Sequence, residues 1–506
     1  MNMADDCFKS DGDTRTDEES GDLERPASVP IAPARTITGT ILVDWYTTDD
    51  PANPQNWSTR KKNFVALQIN LYTFAVYTSS SIYVSSIPGV MEHFGVGPTK
   101  ASLGLGMYVL GYGLGPLLWS PMSEIPLFGR NVPYIATFAL YVILCVPTAL
   151  VDNFGGLLFL RFITGFFGSP CLANGAASMQ DMYSQLHIPY AIALWAGAAF
   201  LGPALGPLLS GFSVAAEGWR WSLWEVLWIA APVFVLWLFF LPETSPDTIL
   251  LYRARRLRRI YSNPNIQSSS EIKQRHLTAR AIVFEAVIKP FEIMFLDPAV
   301  LFTNVYTALV YGIYYSFFEA FSLVYGQIYS FNLGVTGLAF LVVIVGVLIT
   351  GSMFFALLRW VVIPGMKKNG PGKQEEVLIP ALLASFGAPI GLFLFGWTAN
   401  SHVNYMASIV GIGIYAGTVY IVILAIFTYI PMSYPPYAAS LFASNDFCRS
   451  AMAFGAILFS RPMYINLGIG KGSSLLAGLS VLGIIGVWAL YFLGERLRRR
   501  SKFAVS

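Results

Sequence analysis

The chain has 506 residues, 55% of them hydrophobic and only 12% charged, against roughly 25% charged residues in ordinary soluble domains. That balance excludes a soluble globular protein and implies one that crosses a membrane many times. The formal net charge of +3 is too small to argue for a nucleic-acid partner, so the placement of the charges carries more information than their sum.

The first 50 residues are polar and acidic, with twelve Asp and Glu against four Lys and Arg. They lack the basic start and apolar core of a cleaved signal peptide, so residues 1–60 are expected to form a disordered cytoplasmic tail. The sequon Asn56-Trp57-Ser58 would matter only on the outside, and the orientation derived below places it inside.

A helix crossing the hydrocarbon needs about 20 mostly apolar residues. Twelve segments qualify: 64–87, 101–121, 133–151, 157–178, 190–214, 224–241, 299–324, 336–358, 377–397, 404–430, 438–460 and 474–494. A polar segment, 242–298, separates the sixth from the seventh and carries the run "RARRLRRIY". The chain therefore divides into an N-terminal half (61–241), a central loop (242–298), a C-terminal half (299–495) and a basic tail (496–506). With both ends in the cytoplasm, that side carries 22 Lys and Arg near the spans; the other carries four, Lys100, Arg220, Arg461 and Lys471. This asymmetry sets the expected orientation. The run 253–259 is either an ordinary basic loop or a contact for anionic lipid.

Between spans 2 and 3 lies "GLGPLLWSPMSEIPLFGRNVPY", in which Glu124 and Arg130 bracket a short loop, free to pair with each other or with a helix end. Span 4 contains "LLFLRFITGFFGSP", where Arg161 needs an acceptor or a water-lined cavity, unless it snorkels to the nearby outer interface. Span 5 contains "AGAAFLGPALGPLLSGF". Its Gly202-Pro203 and Gly206-Pro207 pairs recur at a spacing of four and so share one face of a thin, kinkable helix.

These stretches, with "GWRW", "LPETSPDTILLYRARRLRR", "PIGLFLFGWT" and "PPYAASLFASNDFCRSAMAFG", resemble the drug:proton antiporter branch of the major facilitator superfamily, notably the fungal exporters of the benomyl and cercosporin type. The resemblance covers nearly all of residues 50–495. It implies an all-α fold of 12 transmembrane helices in two six-helix halves, with a site near the midplane exposed alternately to each side. It also implies that Glu124 and Arg130 act as a conformational latch, that Arg161 takes part in proton coupling, and that the doubled Gly-Pro of span 5 marks an exporter. In the second half "KQEEVLIPALLAS" replaces the family's Pro-Glu-x-Arg-Leu pattern. Glu376 stands nearest the expected acid, no arginine follows, and no latch role is transferred.

Span 7 contains "YYSFFEAFSLVYG", with Glu319 alone among aromatic residues. Tyr311, Tyr315 and Glu319 are four apart and share one helical face. Burial in an apolar setting favours the neutral form of a carboxyl, making Glu319 either a site of reversible proton binding or a hydrogen-bonding residue that holds two helices together. In span 11, Asn445 is a further cavity residue, while Asp446 and Arg449, three apart, are placed to pair with each other.

The four cysteines are far apart, and three lie in apolar runs, where they pack as small hydrophobes. The histidines are isolated, and "GIGKGS" and "NGPGKQ" lack phosphate-loop spacing. Neither a metal nor a nucleotide cofactor is expected, and the chain is not expected to be an enzyme. The leading expectation is a monomeric plasma-membrane exporter of small organic molecules, driven by the proton gradient and in contact with membrane lipid. A proton symporter working inward, or a nontransporting receptor on the same fold, is the alternative.

Overall fold

The structure is a computed structural model that describes residues 28–32, 34, 39–184, 186–274, 279–369, 372–434 and 437–504. Among the described residues ten helices are long and apolar enough to cross a membrane: Pro98–Glu124, Asn131–Leu150, Phe154–Met182, Ile188–Glu217, Trp221–Phe240, Pro298–Ile328, Leu333–Lys368, Gln374–Thr398, Tyr405–Ser433 and Ile469–Arg500. With the helices Thr59–Ser81 and Ala438–Leu467 they match the twelve expected segments, numbered here as spans 1 to 12 in chain order. The two that fall short carry polar residues inside the span: Gln68, Asn70 and the run Ser79–Ser81 in span 1, Asp446 and Arg449 in span 11.

Within the first half, span 1 packs on span 5, span 2 on span 4 and span 3 on span 6; in the second, span 7 packs on span 11, span 8 on span 10 and span 9 on span 12. The halves meet along two seams, span 2 against span 11 and span 5 against span 8. An even number of crossings leaves both chain ends and the central loop on one side, called the terminal side here; the other is the far side. Apolar side chains also cover the lipid-facing surface: Trp228, Phe239, Trp360 and Phe492 are each about two-thirds exposed or more.

The expectation of disorder through residue 60 needs correction from residue 41 onward. Strand β1 (Ile41–Val43) pairs in parallel with strand β2 (Ile266–Ser268) of the central loop. Beside this ribbon Arg253 donates to Asp50 at 2.7 Å, both side chains buried. Hydrogen bonds from Arg253 and from the Tyr46 and Ala52 amides outweigh the desolvation that by itself raises an acid, and hold the Asp50 carboxyl below its usual range. The Asn56 side-chain amide donates to the carbonyls of Thr48 and Asp50. Two arginines of the basic run are therefore already engaged, Arg253 with Asp50 and Arg258 with Glu271. At the other end, span 12 stays helical through Arg500, so the first residues of the expected basic tail extend that helix.

Candidate functional site

Span 1 stops being α-helical at Ser81 and continues as a tighter 3₁₀ segment, Ile82–Ser86. The last carbonyls of an α-helix lack partners within it and attract cations. Arg161 of span 4 supplies one: it donates to the carbonyls of Ser79 (3.0 Å), Ser80 (3.3 Å) and, in span 2, Gly104 (3.0 Å). Its guanidinium lies over the rings of Tyr108 and Tyr83, at 4.4 and 5.1 Å from their centroids. With 1% of its surface exposed, it does not snorkel.

At the middle of the bundle, tyrosine hydroxyls tie the halves together. Tyr112 of span 2 bonds Tyr311 at 2.7 Å and Tyr315 at 2.8 Å, and Ser80 of span 1 bonds Tyr315 at 2.9 Å. Next to this cluster Arg449 stacks its guanidinium 5.0 Å from the Tyr311 ring centre and pairs with Asp446 at 2.6 Å. Asp446 Oδ2 and Arg449 Nε have no hydrogen-bond partner among the described residues. The pairing expected from the three-residue spacing is present, yet it leaves one polar atom of each residue buried and unused. Asn445 faces elsewhere: its amide donates to Asn304 (2.8 Å) and Thr307 (2.7 Å) of span 7.

Glu319 lies further toward the far side. It shares the face of Tyr311 and Tyr315, since all three reach span 2, but it is not the isolated acid that the apolar sequence around it implies. Ser102 of span 2 donates to its Oε1 at 2.6 Å, and Arg461 of span 11 pairs with its Oε2 at 3.3 Å. The arginine comes from 142 positions away along the chain, so no local pattern announces it. Glu319 thus joins spans 2, 7 and 11.

The Gly-Pro pairs position span 5 against span 1. A Cβ on Gly202 would lie 2.7 Å from Tyr77 Cβ and 2.8 Å from the Thr78 nitrogen; one on Gly206 would lie 2.8 Å from the Ile82 nitrogen. Only glycine permits that approach. Pro203 and Pro207 are both buried in this helix, and Leu208, next to Pro207, packs its Cα against Gly337 of span 8. On the terminal side the halves also touch: Tyr420 of span 10 donates to the Ala193 carbonyl at 2.7 Å, and Trp195 packs 6.1 Å from Phe427. The tyrosine cluster is therefore bracketed by contacts between the halves on both sides.

At the terminal-side loop after span 2, Arg130 pairs with Asp181 at the end of span 4 (3.3 Å) and donates to the Ser123 hydroxyl (3.0 Å). Among the described residues no ion pair joins Glu124 to Arg130; of the two arrangements left open by the sequence, the arginine takes the helix end. The Glu243 carboxylate, from "LPETSP", accepts from the backbone N–H groups of Arg130 and Asn131. Asp181 and Glu243 are site residues that the sequence reading missed. In the second half the acid is Glu375 rather than Glu376: it is buried and accepts from Arg498 of span 12 at 2.6 and 2.9 Å. The arginine absent from the local motif is supplied by the chain's other end.

Comparison with known proteins decides the family. The Major Facilitator Superfamily model matches residues 69–456. The chain belongs to this superfamily. It is 45% identical over 482 residues to the MFS-type transporter pyvG of Aspergillus violaceofuscus, covering 95% of this chain and 89% of that one. It is 38% identical over 466 residues to Fluconazole resistance protein 1 of Saccharomyces cerevisiae, covering 91% and 84%. Among solved structures it resembles the proton:xylose symporter XylE with a TM-score of 0.62 at 12% identity, covering 86% of this chain and 97% of that one, a likeness of fold alone.

Proposed function

We propose that this superfamily member is a proton-coupled exporter of small organic molecules, drugs or secondary metabolites, in the plasma membrane, with its terminal side in the cytoplasm. The observation that carries the direction of transport is the near full-length similarity to a relative named for fluconazole resistance. The orientation rests on the concentration of Lys and Arg beside the terminal-side ends of the spans.

In this reading a planar or amphipathic substrate enters from the cytoplasm and displaces the hydroxyl contacts among Tyr112, Tyr311 and Tyr315, whose rings offer stacking surface and whose hydroxyls offer hydrogen bonds. The Asp446–Arg449 pair beside them presents its unused polar atoms. Arg161 keeps the break in span 1 fixed, and the Gly-Pro face holds span 5 tight against span 1, so that the first half rocks as one body. Glu319 is the proton site: it lies at the far-side end of the cluster, where the halves meet through Ser102. A proton taken up from outside neutralises the carboxyl. A neutral acid is buried at lower cost than a carboxylate and its carbonyl oxygen still accepts from Ser102, while Arg461, about a fifth exposed, turns to water; protonation therefore favours closure over the emptied site and return to the cytoplasm-facing state. On the terminal side Arg130 fixes the end of span 2 to span 4 within the first half, and Glu124 at that end completes the latch toward the second half when the cytoplasmic end is shut. No cofactor takes part, and a single chain suffices.

The test is efflux of fluconazole from cells expressing wild type or Glu319→Gln at equal surface level, with external pH lowered from about 8 to about 5, toward the ordinary glutamate value of about 4.3. Faster efflux at low pH in the wild type, and a slow, pH-independent rate in the variant, are expected. Undiminished, still pH-dependent efflux by the variant would remove Glu319 from the mechanism.

A further inference from the structure

On the terminal side, the start of span 5 and the end of span 8 enclose a cleft of about 820 Å³ lined by His187, Tyr190, Phe355, Arg359, Trp360 and Lys367, with Ile363 and Pro364 beneath. Its volume falls within the roughly 300–1,000 Å³ of small-molecule sites. The transport path at the bundle centre does not include it, because the walls belong to the outer surface of the seam between the halves.

The lining has a distinct chemistry. It holds two permanent cations and a histidine and no acid. Among the described residues neither Arg359 nor Lys367 has an ion-pair partner, although nearly every other interior or seam arginine of the bundle is engaged. The cations share the cleft with an aromatic pair, Tyr190 and Phe355, whose rings pack at 5.4 Å across the seam. The remainder of the cleft opens sideways: Trp360 is 73% exposed, and Ile349 and Met353, further along the same helix, are 58% and 66% exposed. In a membrane that stripe faces acyl chains. Arg359 and Trp360 lie in a π-helical turn, Leu358–Val362, inserted in span 8, a departure from α-geometry that recurs at functional sites.

A ligand that fits all of this is an amphiphile with an anionic head. We propose that the cleft binds an anionic phospholipid of the leaflet on the terminal side, its phosphate between Arg359 and Lys367 and its chains along Ile349, Met353 and Trp360. Basic recesses between transmembrane helices on the cytoplasmic side are the expected place for such headgroups; the naming of the leaflet as cytoplasmic rests on the orientation proposed above, while the binding does not. His187 and Tyr190 belong to the first half and the other lining residues to the second. A lipid held by span 8 brings its headgroup against the His187 and Tyr190 wall of span 5, and so favours the states in which the terminal side is closed, through its higher affinity for the assembled cleft.

The experiment is native mass spectrometry of the purified full-length protein titrated with dioleoyl-phosphatidylserine or dioleoyl-phosphatidylcholine, with inorganic phosphate as a competitor. The expected result is retention of phosphatidylserine at concentrations about tenfold below those needed for phosphatidylcholine, loss of that preference in an Arg359→Gln/Lys367→Gln double variant, and its survival in Arg359→Lys/Lys367→Arg. Both pairs are on the surface, and thermal melting in detergent reports whether each variant is folded. Equal retention of the two lipids by the wild type, or an unchanged preference in the neutral double variant, overturns the proposal. Displacement of the lipid by millimolar phosphate overturns it in favour of a small-anion site. None of these readouts involves efflux, so failure of the transport reading and failure of the lipid site are separable.

Discussion

Ser102 donates a 2.6 Å hydrogen bond to Glu319 across the boundary between the two halves. A side-chain hydrogen bond to the carbonyl oxygen of a neutral carboxyl contributes up to about 1.5 kcal/mol, and every 1.4 kcal/mol is about tenfold in an equilibrium. Ser102→Ala therefore shifts the population toward states open at the far side. A cysteine at Ile457, buried beside Gly106 where spans 2 and 11 meet, should be alkylated by an impermeant maleimide about tenfold faster in the Ser102→Ala background. Equal rates would show that the contact does not hold the far side closed.

The Asp446–Arg449 pair predicts an asymmetry between single and double replacement. Asp446→Asn leaves the Arg449 guanidinium buried without its counter-ion, a loss of about 3–5 kcal/mol when one member of a buried pair is removed. Asp446→Asn with Arg449→Gln removes both charges and should recover most of that stability without recovering transport. Thermal melting in detergent and efflux by the same preparations distinguish the outcomes; additive losses in the double variant would contradict the pairing.

Among the tyrosines, Tyr315 should matter more than Tyr311. Its hydroxyl is shared with Ser80 and Tyr112, whereas among the described residues the Tyr311 hydroxyl has one short contact, with Tyr112. At about 0.5–1.5 kcal/mol for each hydrogen bond, Tyr315→Phe should destabilise more than Tyr311→Phe. If the cluster contacts substrate, both should raise KM for efflux, measured as initial rate against cytoplasmic drug concentration.

In span 5, Gly206→Ala places a methyl group 2.8 Å from the Ile82 backbone nitrogen. The helices must separate, at a cost of about 1–3 kcal/mol for overpacking. Gly455→Ala in span 11 meets nothing within 4 Å, so the gain in helix propensity, up to about 1 kcal/mol, is unopposed. A lowered melting temperature for the first and an unchanged or raised one for the second are expected; the same response from both would show that the close approach to span 1 is not rigid.

The Asp50–Arg253 contact predicts how the terminal-side ribbon responds to acid. Because the folded-state value of Asp50 lies below the unfolded one, its stabilising contribution is fully present above the ordinary aspartate value of about 3.9. It is lost only as pH falls through the depressed value. Amide exchange at Ile41–Val43, corrected for intrinsic rates, should therefore be unchanged between neutral pH and about pH 5 and accelerate in Asp50→Asn at every pH. Acceleration of the wild type near neutrality would point to another group.

The twelve segments, the division into halves, the uneven distribution of cations and the Gly-Pro face were legible in the sequence, because each depends on residues close together in the chain. Hydrophobic length makes a span, and a spacing of four puts Gly202 and Gly206 on one face. The shared face of Tyr311, Tyr315 and Glu319 was legible for the same reason. What these residues touch was decided by the tertiary structure alone. Glu319 reads as an isolated acid until span 11 brings Arg461 to it, Arg161 until the end of span 1 offers its carbonyls, and Glu375 until span 12 delivers Arg498 from 123 positions away. Burying a charge requires a partner, but any element of the bundle can supply it, and only packing determines which one does.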